Sequence, residues 1–149
     1  MNTSEQEFFI QAIRLEYAAE RAYRLLVDLV IAQGQLDSME FFDQMAEYSR
    51  THREAIMRQA GIGDLSAIAL EGDCAGVGEV PRVDPSAPPA ELNAAMEFAL
   101  AAERNGVAFY EAMARMADDP QLRTEAENFA AEERAHVLAL ERFMGLKPY

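Results

Sequence analysis

Near the C-terminus the sequence reads AAEERAHVLALERF. Glu133 and His136 stand three apart, so on a helix they project from one face. A carboxylate and an imidazole at that spacing can hold one cation between them, and oxygen and nitrogen donors suit ferrous, manganous and zinc ions. The chain has two histidines, and the other, His52, lies in EYSRTHREA. Two further glutamates sit on helical segments among small and apolar residues: Glu16 in AIRLEYAAERAYRLL and Glu103 in EFALAAERNGVAFYEAM. A carboxylate in such surroundings is costly unless it is paired or bound to a cation. Plainer roles exist for each residue. Glu133 could be solvated, His136 a half-buried helix residue, and His52 the partner of an acid such as Glu47. Tyr23 and Tyr110 could be core aromatics with satisfied hydroxyls. The weight lies in the combination of two lone glutamates, two histidines and one Glu-x-x-His.

Four long helical patterns must position these residues. The first runs over about 4–33, with Ser4 and Glu7 as a capping box and Gly34 as its stop. The second runs over about 38–60, with Asp37 and Glu40 as its box and Gly61 as its stop. The third, about 90–117, starts at APPAELNAAM, where proline suits a first turn. The fourth, about 119–144, has Asp119 as cap and Pro120 just inside it. Short links join the first helix to the second and the third to the fourth, so each pair is expected to form an antiparallel hairpin. The Gly- and Pro-rich stretch between them, about 61–89, reads as the long crossover of a four-helix bundle, with a short helix in DLSAIALEG. The expected fold is all-α, one domain over 1–149: an up-down four-helix bundle of two antiparallel hairpins joined by a long crossover.

An internal repeat supports two equivalent hairpins. Aligning Glu16 with Glu103 also aligns Tyr23 with Tyr110. Aligning His52 with His136 puts Ser49 opposite Glu133. At about 1.5 Å of rise per residue, Glu16, His52, Glu103 and His136 all fall near the waist of such a bundle.

Composition narrows the function classes. The 149 residues carry 13 basic and 26 acidic side chains, a formal charge of −13, which opposes binding to nucleic acid or an anionic membrane. The lone Cys74 can form no internal disulfide, and no Cys-x-x-Cys is present. Without an apolar targeting segment or a membrane-length apolar run, the expected location is cytoplasmic. A homo-dimer is the modest expectation, with Phe8, Phe9 and Leu29 as extra apolar positions on the first helix.

The three helical segments quoted above, including the acidic pair before His136, resemble the rubrerythrin branch of the ferritin-like superfamily, and the resemblance covers almost the whole chain. It implies two iron ions held between four helices, with manganese or a single zinc as alternatives. Glu16 and Glu103 would be the terminal carboxylates, Glu133 the bridge, and His52 and His136 the nitrogen ligands. Tyr23 and Tyr110 would steady the carboxylates from behind. The implied activity is reduction of peroxide or oxygen by an external electron donor, or oxidation of ferrous iron. Two departures stand out. Ser49 occupies the place of a fourth carboxylate, for which Glu20 or Glu47 is a candidate substitute. Gly106 stands where the rubrerythrin type proper has another acid. The paired Cys-x-x-Cys motifs of a rubredoxin domain are also absent. A non-catalytic bundle or dimerisation module stapled by one metal is the alternative.

Overall fold

The computed structural model of the chain describes residues 3–67 and 89–145. Four long helices dominate: α1 (Thr3–Ala32), α2 (Met39–Ala60), α3 (Pro89–Met116) and α4 (Pro120–Phe143). The links are short, and Gly34 and Gly61 turn the chain with φ of 72° and 70°. That left-handed backbone is easy for glycine and strained for other residues. At the start of α4, Asp119 is extended (φ −75°, ψ 119°), and its side chain accepts a 3.0 Å hydrogen bond from the Gln121 N–H.

The start of α2 differs from expectation. A 3-10 turn over Leu36–Ser38 runs directly into the helix, and Ser38 already has helical angles (φ −86°, ψ −17°) with no side-chain cap. A capping box needs an extended residue at that point, so Asp37 and Glu40 do not form one. A second 3-10 turn, Leu65–Ala67, marks the start of the expected DLSAIALEG helix. The rest of that segment, most of the crossover, Cys74 and the Ser4 cap lie outside the described residues or side chains.

Side-chain contacts give the topology. Glu16 meets His52 and Arg24 meets Asp43, so α1 and α2 are antiparallel. Glu103 meets His136 and Glu111 meets Arg134, so α3 and α4 are antiparallel too. Glu16 pairs with Tyr110 and Tyr23 with Glu103, which sets α1 against α3 in opposite directions. Phe41 stacks on Phe143 while His52 meets Phe129, which does the same for α2 and α4. The fold is an all-α four-helix bundle of paired hairpins, in which α2 and α3 run the same way. The backbones of α2 and α4 stand further apart than those of the other three neighbouring pairs.

The apolar core has two parts. One end is filled by Tyr23, Leu26, Leu29, Phe42 and Leu140, and the other by Phe8, Phe9, Ile13, Ile56 and Leu122. Phe8, Phe9 and Leu29 are thus buried within the chain and offer no free surface for association. Between the two parts lies a buried polar layer of Glu16, Ser49, His52, Glu103 and Glu133. No helix among the described residues is long and apolar enough to cross a membrane.

Truncating a fully buried side chain removes transfer energy and leaves a cavity. Leu26→Ala is expected to cost about 3 kcal/mol by denaturant unfolding. Leu138→Ala, on a side chain 43% exposed, is expected to stay within about 0.5 kcal/mol of the parent.

Candidate metal centre

Each long helix contributes to the polar layer at its midpoint. Helix α1 brings Glu16, α2 brings Ser49 and His52, α3 brings Glu103, and α4 brings Glu133 and His136. Glu16, Glu103 and Glu133 are 3%, 2% and 4% exposed. Their neighbours on the inner faces, Ala12, Ala19, Ala99, Ala102 and Ala130, are small and buried. Four helices can approach closely there and leave room for the carboxylates.

The ligand atoms gather into two groups. Glu16, His52 and Glu133 each bring one oxygen or nitrogen within 4.8 Å of the others. Glu103, Glu133 and His136 do the same. Glu133 belongs to both groups. The Nδ1 of His52 lies 2.8 Å from Glu16 Oε1 and 3.5 Å from Glu133 Oε1. The Nδ1 of His136 lies 3.4 Å from Glu103 Oε2 and 3.7 Å from Glu133 Oε2. Each group could hold a metal ion. The five principal residues read from the sequence therefore converge.

Buried donors without hydrogen-bond partners sharpen that fit. His52 Nδ1, Glu103 Oε2 and Glu133 Oε1 are shut off from solvent and lack a hydrogen bond. His52 Nδ1 is close to Glu16, but the geometry is not that of a hydrogen bond. Buried polar atoms are normally satisfied. Here they converge on shared points, as donors around a cation do.

The tyrosines cross between the repeats. Tyr23, on α1, donates a 3.0 Å hydrogen bond to Oε1 of Glu103 on α3. Tyr110, on α3, donates one of the same length to Oε1 of Glu16 on α1. Tyr23 thus fixes Oε1 of Glu103 and leaves Oε2 beside His136, whereas Tyr110 fixes the Glu16 oxygen that also lies 2.8 Å from His52 Nδ1; hydroxyl contacts of this kind orient metal ligands. Burial, and then the nearby carboxylate charges, push both phenols well above their ordinary range, so they remain donors.

Proton affinities reflect the crowding of charge. Burial, with Glu16 and Glu103 close by, pushes Glu133 well above the ordinary carboxylate range. Burial would also raise Glu16, but His52, Glu133 and the Tyr110 hydroxyl overcome it and hold Glu16 low. Burial would lower both histidines; Glu16 overcomes it for His52 and Glu103 for His136, so both are raised.

Glu20 and Glu47 lie outside both groups. Glu20 is paired with Arg53 and lies 3.9 Å from Arg24. Glu47 accepts from Arg24 at 2.6 Å and from Arg50 at 2.7 Å. These arginines hold both acids away from the place beside Ser49, which is itself 1% exposed. Gly106 has a different role from the acid expected there. A Cβ at that position would lie 3.4 Å from the Glu133 carboxyl carbon, about ordinary contact distance, so the backbone at Gly106 borders the Glu133 carboxylate directly.

Two neighbours of the centre escaped sequence reasoning. Glu132 reaches from α4 to within 3.5 Å of His52 Nε2, on the side of the ring away from the centre. Tyr48 stacks on His136 with ring centroids 5.3 Å apart. Tyr48 is four residues before His52 and so shares its face, a signal available in the sequence. The Glu132 contact crosses between helices, and no single-helix pattern announces it.

A pH dependence follows for the metal-free protein. Glu133 and both histidines hold protons more tightly folded than unfolded. The folded state then carries extra protons from the ordinary carboxylate range to above the ordinary imidazole value, and stability falls as pH rises through that window. Glu16 acts oppositely at the acid end: its contribution is present above the ordinary carboxylate value and lost as pH falls through its lowered one. Chelator-treated protein is therefore expected to melt lower at about pH 8 than at about pH 6, and Glu133→Gln to reduce the difference. A rise in Tm over that interval would contradict the assignment.

No family model matches the chain, and neither does any curated protein. Among solved structures, the chain is similar to an uncharacterized conserved protein from Magnetospirillum magnetotacticum MS-1, at 26% identity and a TM-score of 0.71. The likeness covers 100% of this chain and 97% of that one, so it extends over the whole bundle.

Proposed function

We propose that the protein is a di-metal carboxylate oxidoreductase of rubrerythrin type, which reduces peroxide or oxygen with electrons from an external donor. The observation that carries this reading is the pair of ligand groups sharing Glu133. Glu16 and His52 would hold one ion, Glu103 and His136 the other, with Glu133 between them. Iron is the preferred metal on donor type, with manganese as the alternative. Two ferrous ions there would supply two electrons, one from each.

The residues around the ions divide the remaining work. Tyr23 and Tyr110 each hold one carboxylate oxygen, of Glu103 and Glu16, which ties the two halves together. Glu132, open to solvent, lies 3.5 Å from His52 Nε2 and places a negative charge beside the ring. Phe129 packs edge-on to His52 at 4.2 Å and limits water at that ring. Oxidation of ferrous iron as substrate is a related activity of the same centre. A cytoplasmic location and a homo-dimer are part of the proposal.

Ser49 supports a second reading. A serine hydroxyl carries no charge at neutral pH and is a poor ligand for ferrous iron, so the centre has three carboxylates. A single zinc could then staple the helices without turnover.

Metal analysis of protein purified without oxygen separates the two. Two irons per chain, an oxo-bridged ferric absorption after air, and loss of both ions in Glu133→Ala are expected. One zinc per chain with no response to peroxide would sink the oxidoreductase.

The repeat suggests a gain-of-function test. Glu133 lies against Gly106, and the corresponding pair in the other half is Ser49 and Ala19. The double variant Ala19→Gly, Ser49→Glu is expected to strengthen binding of the second ion by about tenfold or more. Titration calorimetry with manganous ion would measure it.

A further inference from the structure

An ion held among Glu16, Glu103 and Glu133 must first pass the packing that surrounds them. Both ends of the bundle are filled, by Tyr23, Leu26 and Leu140 at one and by Phe8, Ile13 and Ile56 at the other. Three of the four seams are closed by tightly packed helix pairs. Among the described residues the seam between α2 and α4 is the open one, and both histidines line the groove along it. His136 is also the most open of the five principal residues. Its side chain is 15% exposed, against 7% or less for the other four.

Two side chains in that groove touch the histidines from outside. Glu132, with its side chain 59% exposed, places Oε2 3.5 Å from His52 Nε2. That nitrogen is buried and has no hydrogen-bond partner, whereas buried polar atoms are normally satisfied. Two ligands of a four-coordinate ion with bonds of about 2.1 Å stand roughly 3.4 Å apart. Glu132 and His52 Nε2 are therefore spaced to share a cation on the groove side of the ring. Tyr48, 49% exposed, lies over His136 with ring centroids 5.3 Å apart. Glu132 and Tyr48 stand one residue before Glu133 and Ser49, so they are corresponding positions of the repeat, and each reaches the histidine of the other hairpin.

We propose that the seam between α2 and α4 is the route by which a divalent cation enters and leaves the centre, with Glu132 and His52 Nε2 as its outer binding stop and Tyr48 as a movable cover over His136. The inference rests on the metal-centre part of the reading above and not on turnover. Electrostatics favour this direction of approach. Three buried carboxylates and a net charge of −13 draw cations inward, and Glu132 adds a negative charge at the groove. A cation arriving from water keeps part of its hydration shell, which a solvated carboxylate such as Glu132 accommodates. Passage inward then needs the Tyr48 ring to swing off His136, and rotamer changes of exposed side chains are fast.

A residue on a route changes the rates of entry and exit by the same factor and leaves the affinity in place. A ligand or a structural residue changes the affinity. Uptake of cobaltous ion by the chelator-stripped full chain, without oxygen, is followed by stopped-flow absorbance, and release by mixing loaded protein with excess chelator. Glu132→Gln is expected to slow both about fivefold while Kd stays within about twofold. Tyr48→Ala is expected to speed both by a similar factor, and Tyr48→Phe, which keeps the ring, to match the parent. Added salt should slow uptake by the parent more than by Glu132→Gln. Glu111→Gln makes the same charge change on the seam between α3 and α4 and should leave both rates unchanged. Parent-like rates in both Glu132→Gln and Tyr48→Ala, in a protein that binds cobalt, would overturn the route alone. So would weakened affinity with faster release in Glu132→Gln, or equal slowing by Glu111→Gln. A chain that binds no cobalt would overturn the metal centre and the route with it.

Discussion

Three carboxylates, Glu16, Glu103 and Glu133, are buried at the waist of an apolar bundle. Removing one such group from water without a partner costs several kcal/mol, and here three lie together. The surrounding sequence answers that constraint. Two histidines bring nitrogen to the layer, and two tyrosines donate to the outer carboxylates. Gly106 borders the Glu133 carboxylate directly. Burial and the nearby Glu16 and Glu103 also raise the proton affinity of Glu133, the same charge conflict seen from the proton's side. A divalent cation would meet the same conflict with charge.

Much of this was legible in the sequence because it repeats at helical spacing. Phe8, Ile13, Ala19, Ala22 and Leu26 mark one buried face, and Gly34 and Gly61 mark stops that the backbone bears out. The depth of Glu16, His52, Glu103 and His136 along their helices predicted one shared level. What was not legible depends on contacts between helices. The arginines that hold Glu20 and Glu47 are ordinary charged residues in sequence, and their partners are fixed only once α1 and α2 pack. The same holds for Glu132 and His52. The start of α2 was misread for a local reason: a 3-10 turn replaced the extended cap.

The bundle is not equally closed on all sides. Three neighbouring helix pairs pack closely, while the two histidine helices are held apart by side chains. Tyr48 on His136 and Phe129 on His52 place rings at that opening. The carboxylates thus face the tightly packed interior and the imidazoles face the groove. An arriving molecule meets the imidazole rings, with the exposed Glu132 beside them, before it meets the three buried carboxylates.

The crossed tyrosine contacts have a consequence for the ancestry of the chain. Each hairpin supplies a hydroxyl that only the other hairpin uses, so a hairpin alone leaves both its tyrosine and its glutamate unmatched. Two identical hairpins meeting about a two-fold axis would satisfy both, and the repeat is the trace expected of such a pair after duplication and fusion. In that symmetric pair, any change at one copy would appear in the other. Fusion removes the obligation, and Ser49 opposite Glu133 is a difference that two copies of one identical hairpin could not carry.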